Sequence, residues 1–125
     1  ENFLPISRIV LYVAETTILR QEVDPDKVSK LVEWMEEVDN RESEIIETLQ
    51  DEGVKTESAF LERSPQGTFL VTYMEADDLQ QVQEIFEQST HDIDIEYKQT
   101  VQECLTDGQP VGSFEPLYHA ANPDR

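Results

Sequence analysis

Residues able to do chemistry are sparse in this chain. His91 and His119 are its two histidines, Cys104 is its one cysteine, and Arg41 stands in an acidic run beside Glu42 and Glu44. An arginine next to a half-buried carboxylate can hold an anionic ligand or tune a general acid or base, because its guanidinium fork stabilises the charged carboxylate. The same set, extended to Glu57, reads equally as a salt-bridged network tying a helix to the strand after it. Tyr73 and Ser58 fall on facing strands and offer hydroxyls to a cavity; otherwise Tyr73 is a core aromatic with its hydroxyl satisfied. His91 lies in a polar stretch between helices and reads as solvated. His119 ends an apolar segment beside Tyr118, where strand ends open onto ligand sites. The candidates for moving protons or positioning a substrate are thus Arg41, Glu57, Tyr73 and His119. Candidate ligand contacts are Glu42, Glu44, Ser58 and Trp34, although Trp34 serves as well for packing or as a dimer anchor.

No glycine-rich phosphate loop, CxxC, HExxH, GxSxG or EF-hand pattern occurs in the sequence. Nucleotide-loop enzymes, zincins and serine hydrolases are therefore disfavoured. A metal held by the histidines would need carboxylates such as Glu57 or Asp92 to converge on them, so neither metal nor cofactor is expected. Cys104 falls on the apolar side of a helical stripe and reads as a small core residue.

Charge is the strongest compositional signal: 28 acidic against 9 basic residues give a net charge of -19. Nucleic acid and anionic membrane both require a basic face, and the sequence has no basic cluster. Acid-rich, lysine-poor surfaces keep proteins soluble in molar salt, where the screening length falls to about 3 Å and self-repulsion fades. A cytoplasmic protein of a salt-loving organism is the expectation. The longest apolar run, Ile9 to Ala14, is too short to span a bilayer and has no basic segment before it.

The elements that must position these residues follow from periodicity. Residues 1–15 form an N-terminal extension, with Ile9–Val13 as an extra strand or helix; 16–125 form one domain. Thr17 to Val23 alternates as a strand, with Thr17, Leu19 and Gln21 on one face and Ile18, Arg20 and Glu22 on the other. Asp24-Pro25 caps a helix whose stripe runs Val28, Leu31, Met35, Val38, Ile45 and Leu49, ended by Gly53. Between Val38 and Ile45 the stripe is interrupted: either the helix breaks near Asp39-Asn40, or Glu42 points beneath it. Val54–Glu62 and Thr68–Glu75 form a hairpin that pairs Leu61 with Leu70 and Phe60 with Val71. Asp77-Asp78 caps a second helix, Ser89–Asp92 interrupts it, and a third helix spans Asp94 to Leu105. Val111–His119 is the expected last strand, with Pro116 tolerable at a sheet edge.

The resulting order, β-α-β-β-α-β, is the ferredoxin-like α+β plan: an antiparallel sheet with helices on one face. Neither sheet face is uniformly polar. One is expected to meet the helices and the other a second subunit, so the partner is a homodimer mate through the sheet face.

Specific segments carry a resemblance as well. They are Leu31-Val32-Glu33-Trp34-Met35, Arg41, Glu44, Thr48-Leu49, Glu52-Gly53-Val54, Glu57-Ser58-Ala59-Phe60-Leu61, Tyr73 to Asp78, Leu117-Tyr118-His119 and Asn122 to Arg125. In these the chain resembles a family of uncharacterised proteins from halophilic archaea and some bacteria. The resemblance implies a dimeric α/β-barrel-type ferredoxin-like domain whose two sheets pack face to face, and it implies no particular reaction. Relatives by fold include quinone-forming monooxygenases, sugar mutarotases and stress-response domains. Two functions stay open: a dimeric small-molecule-binding or interaction domain, and a cofactor-independent enzyme of mutarotase, isomerase or monooxygenase type with its pocket between sheet and helices.

Overall fold

The computed structural model describes residues 14–124; the strand or helix expected at Ile9–Val13 lies outside them. Strand β1 covers Glu15–Val23. Asp24 ends it and accepts a hydrogen bond from the Asp26 backbone N–H at 2.9 Å. That cap opens one 3-10 turn, Pro25–Lys27, which leads into helix α1, Val28–Asn40. At Arg41 the backbone leaves the helical region (φ -109, ψ 39), and α2 resumes at once over Glu42–Glu52. The interrupted stripe is therefore a helix break, and Glu42 stands exposed on the first turn of α2. Gly53, at φ 78, closes α2 in the left-handed conformation that only glycine adopts without strain.

Strands β2 (Val54–Ser64) and β3 (Gly67–Ala76) form the hairpin. Counting back from the Pro65-Gln66 turn gave the right register, Leu61 opposite Leu70 and Phe60 opposite Val71. Asp78 caps α3 (Leu79–Gln88) by accepting from the N–H groups of Gln80 and Gln81. Helix α4 runs from Asp92 to Cys104, and strand β4 follows without a loop at Leu105–Pro110.

The last strand is the main departure from the sequence reading, which placed it at Val111–His119. Two anchors fix the observed position: the Asp24 N–H donates to the Cys104 carbonyl at 2.8 Å, and Leu105 pairs with Val23. Together they dock the chain on β1 as soon as α4 ends. A register shift follows between Val23 and Gln21, where Gly108 takes φ 75 and the Gln21 amide donates to its carbonyl at 2.9 Å. Residues 112–124 carry no strand. Pro110, not Pro116, is the proline on the edge.

The sheet order is β2-β3-β1-β4, every neighbouring pair antiparallel. β1 thus runs parallel to β2 with β3 between them, and β3 runs parallel to β4 with β1 between them. These are two interleaved β-α-β units, each helical segment split in two, and the fold is α+β. Its core falls into two clusters. One joins Leu31 and Trp34 of α1 to Val23, Leu70, Ile93, Val101 and Cys104. A smaller one joins Val54 and Ala76 to Val82. Cys104 is fully buried, the core role its place in the stripe indicates.

Candidate functional site

Between the sheet and the helices, the two core clusters leave a cleft of about 890 Å³. Thr17, Leu19 and Gln21 of β1 and Leu70, Thr72 and Met74 of β3 form its floor. These are the inner-face residues of the alternating strands, as the period of two requires. Val82 and Phe86 of α3 and Tyr97 and Val101 of α4 lie above. Apolar groups dominate these walls, as in most small-molecule sites.

Three carboxylates enter this apolar space. Glu52 is the last residue of α2, and the Gly53 turn sends the chain back as β2, so Glu57 reaches the same cleft from the sheet. Asp94, in the first turn of α4, accepts from the Ser89 hydroxyl at 2.6 Å and is 4% exposed. Glu52 is 5% exposed. Among the described residues its carboxylate has neither a hydrogen-bond donor nor an ion-pair partner. Burial therefore pushes its pKa up, and the charges of Asp94 and Glu57 push it further, to about 7. Glu57 keeps an edge in solvent at the cleft mouth, yet it is densely surrounded; dehydration raises its pKa first and Asp94 second. Burial, and then the charge of Glu57, hold the Tyr97 hydroxyl firmly neutral.

Thr48, Glu52 and Asp94 also line a second cavity of about 250 Å³, so they form the partition between the two spaces. On that far side His91 meets Asp51, Nε2 to Oδ2 at 2.5 Å, and its pKa is raised mainly by that bond. His91 is thus paired rather than simply solvated.

The residues singled out from the sequence lie in three separate places. Glu57 is in the cleft. Arg41 is on the helical side at the α1–α2 break, where its guanidinium donates to Glu37 at 2.9 Å, Glu44 at 2.8 and 2.9 Å, and Glu96 at 2.8 Å. Glu44 is correspondingly held below the ordinary carboxylate range by Arg41. Tyr73 and Ser58 face each other across β3 and β2, out of phase with the cleft residues. His119 returns to the sheet from the C-terminal segment, its Nε2 3.0 Å from the buried Glu75, which also accepts from Thr56 at 3.2 Å. Trp34 is a core residue, edge-on to Tyr97 at 6.4 Å between centroids. Arg41, Glu57, Tyr73 and His119 therefore do not converge, and Arg41 does not pair with Glu57.

Glu52 and Asp94 were not read as site residues from the sequence, and Tyr97 was read only as an inward residue of the third helix, but each had a signal. Ile45, Leu49 and Glu52 are spaced 4 and 3 apart, and Asp94, Tyr97 and Val101 are spaced 3 and 4. A carboxylate at an inward position of an apolar stripe marks a buried charge.

No metal-binding group of histidine, cysteine and carboxylate side chains forms among the described residues. No helix there is long and apolar enough to cross a membrane. No curated protein matches the sequence. A family model does match over residues 14–125, and the chain belongs to that family, a family of unknown function (DUF6176).

Proposed function

We propose that this chain is a small-molecule-binding domain whose ligand occupies the cleft between sheet and helices. One observation carries the reading: an apolar cleft of about 890 Å³ contains a buried carboxylate, Glu52, with no partner among the described residues. Its oxygens still touch water in the cleft, and a ligand that displaces this water must replace the hydrogen bonds it makes. A ligand is the partner this geometry calls for.

The strand order and the paired β-α-β units support the ferredoxin-like plan. The face opposite the helices supports a second copy docking there. It carries Phe60, 58% exposed, opposite Val71, and Tyr73 opposite Ile18. The net charge of -19 supports a cytoplasmic role in a salt-loving organism.

Binding of the neutral dye Nile red tests the site. One dye per chain should bind in molar KCl, Thr72→Trp should abolish binding by filling the cleft, and Val71→Trp on the other face should leave it intact. Binding that survives Thr72→Trp would overturn the reading.

A second reading, a cofactor-independent proton-transfer enzyme, draws on Glu52 alone. A carboxyl group with pKa about 7 is half ionised at neutral pH and serves as either general acid or base. Under it, deuterium exchange into a bound substrate follows the ionisation of Glu52 and stops in Glu52→Gln.

A further inference from the structure

Resting on the binding reading above, we infer that the cleft takes a cationic amphiphile: an ammonium group against Glu52, Glu57 and Asp94, with an apolar body along Leu70, Met74 and Val82. The chemistry of the walls selects this class. An anion placed beside Glu52 would meet three carboxylates. A neutral hydroxyl would give Glu52 one hydrogen bond and leave its charge uncompensated. An ammonium supplies both donors and charge, and the apolar walls can bury the chain attached to it.

The charged and titratable groups of every surrounding element agree with that selection. From α2 comes Glu52, from β2 Glu57, from α3 Glu87, from α4 Asp94, Tyr97 and Lys98, and from β4 Asp107. Lys98 is the one cation among them, and it is engaged elsewhere. Its Nζ lies 4.7 Å over the Phe86 ring and donates to the Glu87 carbonyl at 3.2 Å. Across the partition, His91 is tied to Asp51. Glu52 thus faces the cleft with negative neighbours, and a cation entering from solvent is its natural counter-charge.

Proton linkage follows. Bound ammonium favours ionised Glu52, so binding near pH 7 releases a proton from the fraction of Glu52 that is still protonated. An alkylammonium keeps its own proton there, as a lysine does. Affinity should therefore rise from pH 6 to pH 8.

Isothermal titration with octylamine, octan-1-ol and octanoate, in the salt that keeps the chain folded, tests the inference. Octylamine should bind once per chain near pH 8, about tenfold or more tighter than octanol, while octanoate binds most weakly. Repeating the titration near pH 7 in buffers of different ionisation enthalpy should show about half a proton released per amine bound. Glu52→Gln should narrow the gap between octylamine and octanol and remove the proton release. If octanol or octanoate binds as well as octylamine, the amine inference falls while the cleft remains a ligand site. If none of the three binds and Nile red also fails, both readings fall together. The comparison among the three probes on the unaltered chain stands even without the variant.

Discussion

Two acidic clusters sit on the helical side of this molecule, and they are handled in opposite ways. At the α1–α2 break, Glu37, Glu44 and Glu96 converge on the single guanidinium of Arg41, each within 2.9 Å. Every charge there has a partner, and the arrangement joins α1, α2 and α4. At the end of α2, Glu52, Glu57 and Asp94 share apolar space with no cation bonded to Glu52. The first cluster lies near the surface, where water and salt would screen the glutamates even without the arginine. In the second, burial and then the charges of Asp94 and Glu57 raise the Glu52 pKa, and dehydration and then Asp94 raise that of Glu57. A chain with 28 acidic residues could have placed an arginine at either cluster. Arg41 serves the pairing that holds helices together. The cleft holds Glu52 with no cation bonded to it, and that contrast supports the proposed site.

The largest effect that tests this contrast is a gain in stability on removing a native charge. Folded Glu52 holds its proton more tightly than the unfolded chain does. Stability therefore falls as pH rises from about 4.5 to about 7, and the whole penalty is present above that window. A shift of this size is worth at most about 3.5 kcal/mol at about 1.4 kcal/mol per unit, and water entering the open cleft trims it to about 2 kcal/mol. Glu52→Gln should accordingly stabilise the protein by about 2 kcal/mol near pH 8, with little change near pH 4, in urea unfolding at constant salt.

Arg41→Ala should act in the opposite direction. It leaves three glutamates facing one another and loosens the joint between α1, α2 and α4, so the thermal midpoint falls by a few degrees at low salt and by less in molar KCl. A cation reserved for a ligand would leave the midpoint unchanged. Glu57→Gln should stabilise more weakly than Glu52→Gln, since Glu57 keeps a solvent-facing edge. Combined, the two should give less than the sum of the singles, because each removes part of the repulsion that the other relieves; strict additivity in urea unfolding would separate the two carboxylates.

The smallest effect lies across the partition. Asp51 raises the His91 pKa, so the pair adds stability that is present at low pH and lost as pH climbs through the raised value. Asp51→Asn should flatten that slope in thermal midpoints measured between pH 5 and pH 8 in a Glu52→Gln background, because the Asp51 charge also raises the Glu52 pKa.

Much of this architecture could be read from the residues. The Asp24 and Asp78 caps, the Gly53 stop and the hairpin register follow from short-range rules, because each depends on a few neighbouring side chains. β4 did not, because Thr106-Asp107-Gly108-Gln109 has a turn's composition and becomes a strand only through backbone pairing with β1. The aromatic segment around Phe114 and Tyr118 looked more strand-like and pairs with nothing as a strand. At the site, Glu57 was singled out as a candidate, but its neighbours were misplaced. Arg41 is close to Glu57 in sequence and lies at the far end of α2, whereas Asp94 and Tyr97 approach it from a helix distant in sequence. Periodicity indicates which residues turn inward; which inward residues meet depends on how the helices cross.

Carbon-13 NMR titration of the Glu52 side-chain carboxyl, assigned by comparison with Glu52→Gln, tests the uncompensated site most directly. In the ligand-free chain at constant salt, its midpoint should lie near 7 and fall when octylamine is added. A midpoint near 4.5, the ordinary glutamate value, would mean that water or an ion already compensates the charge, and the cleft would lose its claim to be a binding site.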